Sequence, residues 1–115
     1  MVAEGYQAVQ KYVGLSPQKV RLVIDQVRGM RAMDAVDVLQ FMPQRAALPV
    51  SKVIRSAVAN AENHFGADPD LLVVREIVAD PGPTRRWRRF GARGRWKPIR
   101  RRSSHIKVIL EEVAE

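Results

Sequence analysis

A run of chain with eleven positive charges and no negative one cannot be packed into a protein interior, because every ionised group taken out of water needs a partner of opposite sign. Such a run lies between Pro81 and Lys107: Arg85, Arg86, Arg88, Arg89, Arg93, Arg95, Lys97, Arg100, Arg101, Arg102 and Lys107. Any fold of this sequence must build its core from the remaining residues and leave the run outside. Across the chain there are 20 Lys+Arg and 12 Asp+Glu, a formal net charge of +8, so the residues outside this segment taken together hold 9 bases against 12 acids. That is the pattern of an arm made for a polyanion. Arg outnumbers Lys in the run by nine to two, and the planar guanidinium suits bidentate phosphate contacts and stacking on bases. Trp87, Phe90 and Trp96 are interleaved with the arginines and add stacking surface. Charge runs are usually solvated faces or tails. Here Ile106, Val108 and Leu110 resume a strand-like alternation afterwards, so the run is internal and held at both ends.

At 115 residues and 46% hydrophobic content the chain has room for one domain, with a core burying roughly two-thirds of the unfolded surface. The expected division is a body over about 1–80 and 104–115 and a protruding arm over about 81–103. No cysteine is present, which excludes disulfides and thiolate metal sites and suits a reducing cytosol. No basic flank and apolar stretch of a signal peptide opens the sequence, and the apolar runs fall short of the ~20 residues of a membrane helix. The expectation is a cytoplasmic domain with no membrane contact, completed by a partner rather than by self-association.

Tyr6 to Gly14 reads as a strand. Ser16-Pro17 opens a helix with Ser16 as N-cap, Val20, Val23, Ile24 and Val27 as its buried stripe and Gly29 at its end. A second helix is expected over about Arg31–Met42, stopped by Pro43. The third and longest runs from about Ala46 to Phe65, with Pro49 marking its first turn or kinking it and Gly66 as its stop signal. Its small residues Ser56, Ala57, Ala59 and Ala61 would permit close approach to neighbours, or simply reflect helix propensity. Leu71 to Ala79 and Ile106 to Val113 read as antiparallel strands. The 24 residues between them, Pro81 to Ser104, are too many for an ordinary hairpin turn. They form either a disordered loop or an extension of both strands, which would project roughly 35–40 Å. Gly91, Ala92 and Gly94 sit where a reversal needs small residues.

Catalytic chemistry finds little support. The two histidines are His64 and His105. Ser103 and Ser104 precede His105, but neighbours on a strand face opposite ways and make no nucleophile–base pair. Asp34 and Asp37, three apart on a helix, are more often a solvated face than a metal site. No glycine-rich phosphate loop has nucleotide-binding spacing, so no cofactor and no metal is expected. Ser16-Pro17-Gln18-Lys19-Val20-Arg21 carries more information. Acids favour the first helical turn, yet Lys19 occupies the capping-box position and Arg21 follows. A phosphate over the helix start would satisfy free amides and both side chains; alternatively both point to solvent, with Arg21 paired to Asp25 at i, i+4.

Taken in order, Ser-Pro-x-Lys-x-Arg, then Ser56-Ala57-Val58-Ala59-Asn60-Ala61-Glu62-Asn63, Asp80-x-Gly82-Pro83, Ala92-x-Gly94-Arg95 and Ser104-His105-Ile106 closely resemble the family of bacterial large-ribosomal-subunit protein twenty-two. The likeness spans nearly the whole chain. It implies an α+β fold: three helices packed on a small three-stranded antiparallel sheet, with a long extended basic β-hairpin. It also implies a structural constituent of the large subunit, not an enzyme, whose hairpin threads through large-subunit ribosomal RNA and lines the polypeptide exit tunnel. Partners would be that RNA, neighbouring large-subunit proteins and the nascent polypeptide. The expected RNA-binding residues are Ser16, Lys19, Arg21, Lys52, Arg55, Arg85, Arg86, Trp87, Arg88, Arg89, Arg93, Arg95, Trp96, Lys97, Arg100, Arg101, Arg102 and His105. The expected tunnel-lining tip is Arg89, Phe90, Gly91, Ala92, Arg93, Gly94 and Arg95. The sequence departs from the family pattern at the tip, where Gly91 replaces the usual Arg, Phe90 a common Pro, and Trp96 a small residue. A different class of function also fits the charge pattern: an architectural DNA-binding protein with basic β-ribbon arms, using Trp96 or Pro98 as a minor-groove wedge.

Overall fold

A computed structural model describes residues 5–82, 85–90 and 96–113, and for 85–90 and 96–101 it describes the backbone. Along the described chain run β1 (Tyr6–Val13), α1 (Pro17–Val27), α2 (Ala32–Gln40), α3 (Ala47–Phe65), a 3-10 turn (Pro69–Leu71), β2 (Leu72–Pro81), β3 (Arg85–Phe90), β4 (Trp96–Arg101) and β5 (Ser104–Glu112). The fold is α+β, as the sequence implied. Its three-stranded sheet has the order β1-β5-β2, with β5 antiparallel to both neighbours. β3 and β4 form a separate two-stranded antiparallel ladder.

The helices cover one face of the sheet through stripes at helical spacing. Val20, Val23, Ile24 and Val27 of α1, Ala32, Ala35, Val36 and Leu39 of α2, and Val50, Val53, Ile54, Ala57, Val58 and Ala61 of α3 are all buried. Against them β5 places Ile106, Val108 and Leu110, each with no exposed surface, and β2 places Leu72, Val74 and Ile77 likewise. Each side chain of this size contributes about 1.5–3 kcal/mol on burial. The small-residue motif of α3 divides in two: Ala57 and Ala61 are buried in the packing, whereas Ser56 and Ala59 face outward.

Several boundaries differ from the sequence reading. α2 is shorter than Arg31–Met42 because both ends make other contacts: Arg31 is bridged to Val73, and the Phe41 amide tightens the last turn by bonding to Val38 O at 3.2 Å. Pro49 lies in the first turn of α3, where a missing N–H costs nothing. β2 runs on to Pro81 and β5 begins at Ser104, because Asp80 pairs with His105 and Pro81 with Ser104. Gly29 and Gly66 end α1 and α3 with φ of +86° and +66°, the left-handed region glycine enters without a Cβ clash. The segment after α1 also protects the outer edge of β2: Gly29 N donates to Val74 O at 3.0 Å and Val74 N to Met30 O at 2.8 Å.

Ser104 is fully buried where β5 enters the core, and its hydroxyl donates to Leu15 O at 2.6 Å. Replacing Ser104 by Ala leaves that carbonyl without its partner. The expected result is a loss of about 1–2 kcal/mol, read as a lower urea midpoint with an unchanged m-value. Exposed Asp34→Ala should stay within about 0.5 kcal/mol of the parent.

Candidate nucleic-acid interface

The body has two distinct ends. At one, β2 and β5 lead into the basic arm; there the ladder closes with Pro81 opposite Ser104 and Gly82 N donating to Ser103 O at 2.9 Å. At the other, Leu72 lies opposite Glu112 and Tyr6 opposite Leu110. α1 starts at the arm end and runs away from it: Arg21 bonds to Ala79 O, Arg28 to Ile77 O and Gly29 to Val74 O. α3 ends at the far end, where Asn60 Nδ2 donates to Gln7 O at 3.2 Å and the Phe65 ring lies 5.1 Å from Tyr6. Its 19 residues span about 28 Å, close to the length of β1 beside it, so its N-terminus points to the arm end. The positive ends of both helix dipoles thus face the same way as the arm. The far end collects acids instead: Glu62, Asp68, Asp70, Glu111 and Glu112 lie there. Asp80, opposite His105 in the ladder, is an acid at the arm end.

Ser16 occupies the N-cap position of α1 as expected, but its hydroxyl makes no capping hydrogen bond, and the first turn contains no acid. Amides at this helix start are left for an external anion. Lys19 is exposed beside them. Arg21 is not paired with Asp25, the alternative that the sequence offered. Its Nε and Nη2 both donate to Ala79 O, at 3.1 and 2.8 Å, clamping α1 to β2. Asp25 pairs with Arg28 at 2.7 Å, the one ion pair among the described residues.

His105 is likewise occupied. Its Nδ1 accepts the Tyr12 amide at 3.1 Å, and the two rings meet edge-on with centroids 5.0 Å apart. Tyr12 sits at a register shift between Gln10 and Val13 with φ of +60°, an uncommon conformation for a residue with a side chain. This bulge near the foot of the arm presents a Tyr ring that is 68% exposed. The Val- and Tyr-rich pattern of Tyr6–Gly14 carries no mark of the bulge, so the sequence reading missed Tyr12. Lys52 and Arg55 are exposed on α3 and Arg102 is exposed beyond β4. No group of acids and histidines able to hold a metal ion occurs among the described residues, Asp34 and Asp37 included.

In the arm, the register of β3 and β4 sets Arg85 opposite Arg101, Arg86 opposite Arg100, and Arg89 opposite Lys97, with Trp87 opposite Ile99, Arg88 opposite Pro98 and Phe90 opposite Trp96. The connection is thus a strand extension rather than a plain loop over these residues. Like charges at directly opposed positions destabilise a ladder, and a bound polyanion reverses that cost. Gly91, Ala92, Arg93, Gly94 and Arg95, the centre of the expected tip, lie outside the described residues.

A family model described as ribosomal protein L22p/L17e matches residues 8–111. The chain belongs to this family. Among its relatives is the large ribosomal subunit protein uL22 of Desulfitobacterium hafniense, from strain DSM 10664 / DCB-2 and from strain Y51. Each is 48% identical over 109 residues, covering 95% of this chain and 96% of the relative. Membership in this ribosomal protein family, rather than in an enzyme family, accords with the use of Ser104 and His105 as internal hydrogen-bonding groups.

Lys19 and Arg21 can be separated experimentally. Lys19→Glu is expected to leave the fold intact or stabilise it by a few tenths of a kcal/mol through the helix dipole, while weakening ribosomal RNA binding in a filter titration. Arg21→Gln breaks the clamp to Ala79 and is expected to cost about 1 kcal/mol in urea unfolding. An RNA affinity unchanged by Lys19→Glu would remove the anion site at α1.

Proposed function

We infer that the protein is a structural constituent of the large ribosomal subunit, in the cytoplasmic ribosome. It binds large-subunit ribosomal RNA through the β3–β4 arm and the arm end of the body, and it supports subunit assembly. The observation that carries this reading is the acid-free ladder with arginines in opposed register, a geometry whose like-charge repulsion a polyanion would relieve. The two helix N-termini directed the same way and the printed names of the relatives support it. The chain acts as a single domain, with a body over about 1–80 and 104–115 and an arm over about 81–103. Its RNA contacts are Ser16, Lys19, Arg21, Lys52, Arg55, His105 and the basic and aromatic residues of the arm. Neighbouring large-subunit proteins are further partners, and the chain does not self-associate. The tip, Arg89 to Arg95, lines the polypeptide exit tunnel and meets the nascent chain, as the family resemblance implies.

Phosphate contacts make affinity depend on salt, with a slope of about −0.7 to −0.9 per phosphate neutralised. Replacing Arg85, Arg86, Arg100 and Arg101 by Gln is therefore expected to flatten the slope of log affinity against log salt by about 3. The same variant should be lost from the large subunit in high-salt sedimentation. A stronger preference of the parent for duplex DNA than for structured ribosomal RNA would replace this reading by the architectural one. Insertions between Gly91 and Gly94 are expected to slow elongation while leaving subunit assembly near normal. Assembly failure with normal elongation would make the tip an RNA anchor instead of a tunnel wall.

A further inference from the structure

Among the described residues, Tyr12 is the one residue other than glycine with a positive φ. Gln10 lies opposite Ile106 and Val13 opposite Ser104, so Lys11 and Tyr12 together face His105. Two residues against one make a β-bulge, and its left-handed position is one that glycine occupies without a Cβ clash. A glycine would relax this backbone, so what Tyr12 adds is its ring. The bulge is fixed by His105, whose Nδ1 accepts the Tyr12 amide and whose ring the Tyr12 ring meets edge-on. His105 is itself closely seated: a Cβ on Gly82 would stand 3.2 Å from its Cε1 and 2.5 Å from Ser103 Oγ.

The ring held in this way is 68% exposed, so burial does not offset the strain. Strained residues over-determined by their surroundings cluster at functional sites, and bulges re-aim side chains beside them. Phe41 and Phe65 are exposed as well, but neither has a left-handed backbone. His105 and Lys107 alternate with the fully buried Ile106 and Val108, so they occupy the sheet face turned away from the helices. Tyr12 leans on His105 there, with Lys107 exposed one pleat further along β5. Asp80, opposite His105 in β2, is an acid on the same face. It disfavours a bare phosphate at this spot and leaves room for a neutral, planar group.

We propose that Tyr12 is a stacking platform for one unpaired base of the RNA, held out at the foot of the arm by the bulge and by His105. A base laid on the ring covers apolar surface that the fold leaves in water, and unpaired RNA bases are recognised by such stacking. Tyr12 faces His105, and the adjacent Ser104 lies opposite Pro81, where the chain enters the arm. A strand of RNA lying along the arm therefore passes the platform. The inference rests on the RNA-binding reading and adds to it a contact in β1, a strand to which the sequence assigned none.

The test uses the full chain with isotopically labelled tyrosine rings and tryptophan indoles, followed by NMR. It is titrated with hexaadenylate and separately with an abasic ribose–phosphate oligomer of the same length. Hexaadenylate is expected to move the Tyr12 ring signals upfield and to shift the indole N–H signals of Trp87 and Trp96. Tyr6, packed against Phe65 at the far end, should stay in place. The abasic oligomer should shift the indoles and leave Tyr12 near its starting position. Tyr12→Gly should keep or raise the urea midpoint, because glycine relaxes a left-handed backbone. The same variant should weaken binding of large-subunit ribosomal RNA at least about fivefold in a filter titration, and Tyr12→Phe should bind within about twofold of the parent. Indole shifts with an unmoved Tyr12 ring would overturn the platform and leave the arm reading in place. Equal Tyr12 shifts with the abasic oligomer would overturn base stacking in favour of a backbone contact. A lower urea midpoint for Tyr12→Gly with unchanged RNA affinity would make the ring a structural part of the bulge and overturn the platform. No response at either place would overturn both readings.

Discussion

The fold depends on β5 being paired on both edges while its alternate side chains enter the helical layer. Its backbone joins β1 and β2 into one sheet, and Ile106, Val108 and Leu110 place fully buried surface beneath α1 and α3. Strand side chains alternate with a period of two, so a slip of one residue would bring Lys107 inward and expose that apolar set. The register is fixed at the point where the chain returns from the arm, because Ser104 is anchored to Leu15 and His105 to Tyr12. The core thereby resumes at Ser104, two residues after Arg102 and inside the span that ends at Lys107.

Fixing that junction also sets the direction of everything else. The chain leaves and re-enters the sheet at one end, α1 starts beside that end, and α3 points its N-terminus toward it. Helix dipoles, uncapped amides and exposed cations therefore add rather than cancel, while Glu62, Asp68, Asp70, Glu111 and Glu112 gather at the opposite end. Arg21 and Arg28 hold this arrangement by bonding to carbonyls of β2. Basic residues in the body thus serve two different purposes, some tying helix to sheet and others, such as Lys19, Arg45 and Arg55, remaining uncommitted at the surface.

The helices were legible because their stripes and stop signals are local: Val20, Val23, Ile24 and Val27 repeat at helical spacing, and Gly29 and Gly66 occupy left-handed conformations that other residues avoid. The strands were legible in kind, but their ends were not. Pro81 and Ser104 become strand residues only because each lies opposite the other. The role of Arg21 was hidden for a similar reason. Its partner is a backbone carbonyl 58 residues away, and no sequence pattern marks a carbonyl as available. Nor does composition distinguish Ser51, which is buried, from Ser56 five positions later on the solvent side of the same helix.

The sequence by itself determined that this chain has a compact α+β body and an external cationic arm, since charge density and apolar periodicity are properties of consecutive residues and hold in any tertiary arrangement. Its motifs also determined the family. Only the tertiary structure decided which end of the body faces the arm's partner, and that Tyr12 is turned out on a bulge held by His105. These outcomes depend on pairings between residues far apart in the chain. Strand register and helix packing select those pairings through the total buried surface and the satisfaction of backbone groups, and neither quantity can be read from a local window of sequence.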